Sequence, residues 1–350
     1  RRVLFRSSFC VVVLNILEVE TMASKIRLVN FNGELIPETE AKISIYDSAL
    51  MFGDMVFEMT RSFNKQQFKL EDHISRLYSG LKILRIPIDL TQTQMIDECL
   101  RTIEANDHLF TADDEHRLMI DVSRGLLGIY QNIEGLRKGS NVIIADFPLR
   151  WTVTTMGPLF DTGINMVITS QRAIPASLMD PKIKNRSRLF YLMANIEASM
   201  VSGNNNWALL LGTDGFITEG TGDNFFIVKD GVVITPEGRD VLRGVSREYV
   251  MVELCTALGI PCVEKNIDPY DVHTADEAFI TGTPFCMLPV TSLNGLSIGN
   301  GKVGTVFSQL IDLWSKNMGV NIIDQIQGWD AERQISPDVD APTPYRFTKR

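Results

Sequence analysis

The chain has 350 residues, enough to bury a large core, and that length favours two domains over one. With a formal net charge of −9 and 22% charged residues it lacks the concentrated basic surface that nucleic acid or an anionic membrane demands, so the expected partner is a small molecule or another protein. Cys10, Cys99, Cys255, Cys262 and Cys286 are scattered without CxxC spacing, and His73, His108, His116 and His273 lie far apart without HExxH or HxH. Neither a disulfide framework nor a metal site is indicated, and a reducing, cytoplasmic compartment is the default.

Residues 1–21 join a basic start to an apolar run, as a targeting segment does, but the run is too short to span a bilayer and no small-x-small site ends it. They read better as upstream or non-native sequence before Met22. From Lys25 the pattern alternates: a hairpin around Asn32-Gly33, a strand near Lys42 to Tyr46 and another across Val56 to Phe63. Helical periodicity follows over Glu71 to Leu84 and Met95 to Ala105, then strand again over Arg117 to Ser123. This predicts an α+β domain over residues 22–148 and a connector over 149–158.

Strands are predicted at Gly163 to Thr169 and Trp207 to Leu211, with a helix between them whose apolar face is Leu189, Leu192, Met193, Ile196 and Met200. A hairpin follows across Asp230-Gly231, joining Asn224 to Val228 with Val232 to Thr235. A helix over Arg247 to Leu258 closes at Gly259, and Ala278 to Thr281 is a strand. The second domain spans 159–330, and the polar, proline-containing stretch from Ala331 to Arg350 reads as a tail.

Two segments are the most informative. In Leu211 to Val228, Glu219 sits between glycine-containing stretches before a strand opens at Asn224; in DPKIKNRSRLFYLMANIEA, Lys184 stands at the start of the apolar helix. Taken alone, each would be a solvated surface charge. In order, however, Lys184-Asn185 before a helix ending in Glu197-Ala198, Thr218-Glu219-Gly220 with Asn224-Phe225-Phe226, Leu242-Arg243-Gly244-Val245-Ser246-Arg247, and Thr281-Gly282-Thr283 with Pro289-Val290 form a specific combination. Over about residues 26 to 325 the chain resembles the class IV, fold-type IV aminotransferases, the group of branched-chain and D-amino acid aminotransferases, (R)-selective amine transaminases and aminodeoxychorismate lyases.

The resemblance implies a smaller N-terminal α/β domain, a larger C-terminal barrel-like domain, a homodimer with a loop of one subunit closing the other's pocket, and pyridoxal 5′-phosphate as cofactor. By it, Lys184 carries the cofactor as a Schiff base and moves the proton at the substrate Cα, with Lys182 as the alternative lysine. Glu219 pairs with the pyridine nitrogen and Asn224 supports it. Arg76, Val245, Ser246 and Thr283 bind the phosphate, and Leu242 packs on the ring.

Substrate specificity is less sharply marked. Branched-chain enzymes resemble F-E-G-I-R, whereas here Phe57-Glu58-Met59-Thr60-Arg61 puts Met in place of Gly and narrows that side. The D-amino acid carboxylate trap is absent after Arg124-Gly125, where Tyr130 lies. The family's turn at Thr283 donates backbone N–H groups to the substrate carboxylate, but Pro284 has none, so Arg61, Arg117 or Arg124 must compensate.

The expected activity is ping-pong exchange of an amino group between an amino acid or amine and a 2-keto acid. A lyase of the aminodeoxychorismate type and a catalytically idle scaffold remain as rivals. So does a nicotinamide-dependent oxidoreductase, because Gly299 to Gly304 fits GxGxxG; too few residues follow it to complete a doubly wound sheet, so a hairpin turn accounts for it better.

Overall fold

The computed structural model describes residues 26–335. The expectations for residues 1–21 and 336–350 lie outside the described residues. The first half opens with a hairpin of β1 (Leu28–Phe31) and β2 (Glu34–Pro37), turned by Asn32 and Gly33 at φ 57° and 88°. An Asn-Gly turn adopts such left-handed values at little cost. There follow α1 (Ser48–Phe52), β3 (Met55–Met59), the short β4 (Ser62–Phe63) and β5 (Gln66–Gln67), α2 (Leu70–Leu84), α3 (Gln92–Asn106), β6 (His116–Ser123) and β7 (Asn141–Pro148).

Strands in the order β2-β1-β7-β6-β3 make one antiparallel sheet. Alternation places Val56, Leu118, Ile120, Val122 and Ile144 on one face, where they bury against Ile74, Leu77 and Leu81 of α2 and Met95 and Cys99 of α3. Two expectations are corrected here. Residues 42–46 form no strand, because the next residue, Asp47, is committed to capping α1: its carboxylate accepts from Ala49 N at 2.8 Å, Ser123 Oγ at 2.9 Å and Asn141 Nδ2 at 2.6 Å. The strand expected over 56–63 breaks after Met59, where Thr60 and Arg61 turn inward and are fully buried.

The second half contains α4 (Arg150–Val153), α5 (Leu159–Thr162), β8 (Ile164–Arg172), α6 (Leu189–Met200), β9 (Asn206–Leu211), β10 (Ile217–Gly220), β11 (Asn224–Lys229) and β12 (Val232–Thr235). Helix α7 covers residues 245–258 with a π-helical turn at Tyr249–Leu254. It is followed by β13 (Cys262–Glu264), α8 (Pro269–His273), β14 (Glu277–Gly282), β15 (Cys286–Leu293), β16 (Leu296–Ser297), α9 (Thr305–Met318) and α10 (Ile322–Ile335). The sheet runs β10-β9-β8-β15-β14-β11 and closes into a barrel because β11 also pairs with β10, Asn224 opposite Glu219. Phe226, Phe279, Phe307 and Trp314 fill its core, with Phe226 stacked on Phe279 at 4.8 Å.

Three further readings change. The segment 149–158 includes the turn α4, and Leu149 and Val153 are fully buried in the larger core, so it packs rather than merely connects. The chain from Ala331 stays helical to Ile335. The face of α6 that packs inward is Ala194 and Ala198 against Val167, Ala208 and Leu210, since close approach to β8 and β9 requires small side chains. Leu189, Leu192, Met193 and Met200, expected to face the core, are instead 70%, 40%, 44% and 73% exposed. No described helix is long and apolar enough to cross a membrane.

Candidate active site

Barrel closure sets a polar row across adjacent strands: Glu219 on β10 opposite Asn224 on β11, and Asn224 opposite Thr281 on β14. Directly opposed residues share a face. All three line one cleft, together with Phe57, Arg76, Lys184, Leu242, Val245, Ser246 and Thr283. The cleft lies where the first sheet meets the barrel.

Lys184 is not on the helix. Asn185 forms an isolated antiparallel bridge to Val56 of β3, with Phe57 N donating to Lys184 O at 2.9 Å and Arg186 N to Met55 O at 3.0 Å. Asn185 delays the helix by a local turn, accepting from Ser187 N at 2.9 Å, while Ser187 Oγ donates to Phe52 O at 2.8 Å, so α6 starts only at Leu189. Lys184 Nζ stands 4.9 Å from the Phe57 ring centroid and makes no hydrogen bond or ion pair among the described residues. Burial and the nearby Arg76 hold its pKa down at about 7, so its amine is substantially neutral at physiological pH. Lys182 instead pairs with Asp180 at 2.8 Å and donates to Arg239 O.

Glu219 accepts three hydrogen bonds, from Tyr191 OH at 2.9 Å, Asn224 Nδ2 at 2.9 Å and Leu242 N at 3.0 Å, but has no ion-pair partner among the described residues. Burial outweighs these donors and pushes its pKa up to about 7. Asn224 also donates to Leu242 O at 2.9 Å and lies against Gly244, where a Cβ would fall 2.1 Å from Asn224 Oδ1. Only glycine fits before the uncapped first turn of α7. Asp223 and Thr281 also line the cleft, each with a buried side-chain oxygen lacking a partner, and burial beside Glu219 raises Asp223 to about 8.

Arg76 is gripped by Glu58 through Nε at 2.6 Å and Nη2 at 2.7 Å, and donates to Arg243 O at 2.7 Å. Burial alone would raise the Glu58 pKa, but Arg76 and His73, whose Nδ1 is 2.8 Å away, outweigh it and hold it at about 2. Arg76 is thus a fixed cation directed at the segment leading into α7.

The substrate-side expectations fare differently. Phe57 lines the cleft, but Arg61, Arg117, Arg124, Tyr130 and Pro284 do not. Arg61 spans the two halves, donating to Pro284 O at 3.1 Å, Cys286 Sγ at 3.1 Å and Gln325 Oε1 at 3.2 Å. Arg124 is locked to Asp54 at 2.6 Å and to Leu84 O and Arg85 O. Arg117 lies against Met59 Sδ at 3.4 Å and the Phe147 ring, and Tyr130 packs at a tilt on Tyr46 with centroids 4.7 Å apart. Strand arginines and loop aromatics carry no one-dimensional signal of which wall they reach. Arg188, Tyr191 and Asp223 line the cleft without having stood out in the sequence. For Tyr191 the available signal is its place on the first turn of the helix that follows Lys184.

The glycine run is a turn between β16 and α9, not a phosphate loop. The Glu277 carboxylate takes the first amides of α9, Val306 N at 3.0 Å and Phe307 N at 3.1 Å, where a dinucleotide pyrophosphate would sit, and Gly304 leaves room for that carboxylate.

Comparison with known proteins agrees with this geometry. The family model for amino-transferase class IV matches residues 55–293. A putative branched-chain-amino-acid aminotransferase of Methanocaldococcus jannaschii is 34% identical over 299 residues, 84% of this chain and 98% of that protein. The crystal structure of the Escherichia coli branched-chain amino acid aminotransferase superposes with a TM-score of 0.75 at 27% identity, covering 83% of this chain and 94% of that one. The branched-chain aminotransferase of the thermophilic archaeon Thermoproteus uzoniensis, with norvaline, gives a TM-score of 0.72 at 26% identity, covering 87% and 97%. With a matching family model, a relative 34% identical over 84% of the chain and the shared architecture, the chain belongs to the class IV aminotransferases.

Proposed function

We propose that this aminotransferase uses pyridoxal 5′-phosphate to exchange an amino group between a branched-chain-like amino acid and a 2-keto acid such as 2-oxoglutarate or pyruvate. The observation that carries the reading is the presence, in one cleft, of a buried lysine amine with no hydrogen-bond or ion-pair partner among the described residues and a buried carboxylate that has three hydrogen-bond donors but no cation. A protonated pyridine nitrogen is the missing charge, and a phosphate suits the fixed Arg76 and the uncapped start of α7. The orphaned Thr281 hydroxyl shows that the cleft's polar capacity is not spent internally.

When bound, pyridoxal phosphate supplies an aldehyde for the amino group and a sink for the electron pair left at Cα. In this scheme Lys184 Nζ takes the proton from the amino donor's Cα and would pass it to the cofactor, and in the second half-reaction would carry a proton the opposite way to the carbon derived from the keto acid. Glu219 keeps a positive charge at the ring nitrogen, and Asn224 with Leu242 N fixes its carboxylate. Arg76, the amides of Val245 and Ser246 and the hydroxyls of Ser246 and Thr283 hold the phosphate, while Leu242 and Phe57 flank the ring. Branched-chain preference rests on the relatives' substrates and the apolar Phe57 wall; (R)-amines and D-amino acids are the alternative donors. An assay of keto acid production across donors of both hands decides the class: donor-dependent keto acid formation is expected, and pyruvate release from a chorismate derivative without an acceptor would indicate a lyase.

The lysine sets a pH dependence. Because its pKa is lowered to about 7, capture of pyridoxal phosphate by the cofactor-free chain should accelerate as pH rises toward 7 and level off above it. A rate still climbing toward pH 10, followed by absorbance, would place an ordinary exposed lysine at the site.

The proposal includes a homodimer with a cytoplasmic location, the latter resting on the cysteine pattern. The exposed Leu189, Leu192, Met193 and Met200, with Phe52 beside Ser187 at 65% exposure, form an apolar face that a second copy would cover. Replacing Leu192 and Met193 by Asp should give monomers with much reduced activity in sedimentation and turnover measurements; a dimer of full activity would locate the interface elsewhere.

A further inference from the structure

Arg188 is the cation of this cleft that the scheme above leaves without a task. It stands immediately before α6, and its guanidinium lies 4.9 Å from the Tyr191 ring centroid and 5.5 Å from that of Phe57. Nη2 donates to Thr221 O. Among the described residues it has no carboxylate partner within ion-pair distance, unlike Arg76, whose charge is met by Glu58. Two aromatic rings and one carbonyl therefore hold a guanidinium whose other donors have no partner among the described residues. Such a fork matches a carboxylate.

The position fits the reaction. A substrate's α-carboxylate is bonded to the carbon that Lys184 must deprotonate, so its anchor has to stand close to Lys184 Nζ. Both Lys184 Nζ, at 4.9 Å, and the Arg188 guanidinium, at 5.5 Å, face the same Phe57 ring. The other arginines named from the sequence, and the proline of the turn, are not available for this task. Pro284 offers no N–H, and its carbonyl is engaged by Arg61; Arg124 is held by Asp54, and Arg117 is on a wall outside the cleft.

We infer that Arg188 binds the α-carboxylate of both the amino donor and the 2-keto acid, and thereby selects acids over simple amines. This rests on the transaminase reading above. It also gives Tyr191 a double position, supporting Arg188 with its ring and Glu219 with its hydroxyl.

The test is equilibrium binding to the enzyme loaded with pyridoxal phosphate, by calorimetry, of 4-methylpentanoate and of its neutral amide, in the wild type and in Arg188→Gln and Arg188→Lys. Arg188→Gln should weaken acid binding by roughly tenfold to a hundredfold, the loss expected when a charge-assisted hydrogen bond is removed, and leave amide binding unchanged. Arg188→Lys should retain part of the affinity as a point charge. The visible absorption band and the cofactor's dissociation constant should be unaltered in both. Wild-type acid affinity in Arg188→Gln would overturn the inference. So would loss of the cofactor band with the acid-to-amide ratio intact, which would assign the guanidinium to the cofactor. A wild type that transfers no amino group from any donor would sink the transaminase reading itself, and the acid-against-amide comparison, which needs no turnover, would still judge Arg188.

Discussion

Lys184→Ala is expected to abolish amino transfer while leaving the fold intact. The loss should exceed the roughly 10²–10⁴-fold that a general base alone contributes, because in the proposed scheme the same amine also holds the cofactor. Structural damage should be slight. The Lys184 side chain makes no hydrogen bond or ion pair among the described residues, and what holds the segment is its backbone, through Phe57 N to Lys184 O and Arg186 N to Met55 O. Removing an amine whose charging is resisted by burial should leave the melting temperature unchanged or raised. A variant of near-full activity would displace Lys184 from the reaction, and an unfolded variant by circular dichroism would contradict the view that its side chain is structurally idle.

Glu219→Gln should slow turnover by about two to three orders of magnitude, the usual cost of removing a preorganised electrostatic partner. The charge is lost, and the amide adds a second difficulty. Asn224 Nδ2 and Leu242 N donate to one oxygen and Tyr191 OH to the other, so a glutamine must turn its carbonyl to the first pair and its NH₂ to Tyr191, whose hydroxyl then has to switch from donor to acceptor. The effect should fall mainly on kcat, since in the proposed scheme the carboxylate supports proton abstraction more than substrate binding. A variant with kcat within tenfold of wild type would mean that Glu219 is a structural group at the barrel seam and no more.

Lys184, Glu219, Asn224, Val245, Ser246 and Thr283, which line one cleft, all stand out in the sequence because each sits in a short ordered segment with its own turn chemistry. The register that unites them is not. Glu219, Asn224 and Thr281 become neighbours through closure of β10 on β11, a pairing of distant strands that no local pattern announces. Arg61 and Arg124 look alike as sequence, yet one is fully buried between the halves and the other is spent on Asp54 and helix-end carbonyls. Arg188 sits in a basic run, KIKNRSR, of which only the three-dimensional placement of Phe57 and Tyr191 singles out one member. The outward apolar face of α6 departs from expectation for a physical reason: hydrophobic periodicity marks a surface to be covered without saying by what, and here the alanines cover the sheet while the large side chains remain exposed.

The most direct test of the central claim is the visible and near-ultraviolet absorption spectrum of the purified protein with pyridoxal phosphate, before and after adding amino acids of both hands without a keto acid acceptor. The account predicts a long-wavelength band that depends on Lys184, shifts to shorter wavelength with particular donors, and is restored by a 2-keto acid. A protein that forms no such band with excess cofactor, or forms one that no donor alters and no keto acid restores, would contradict it.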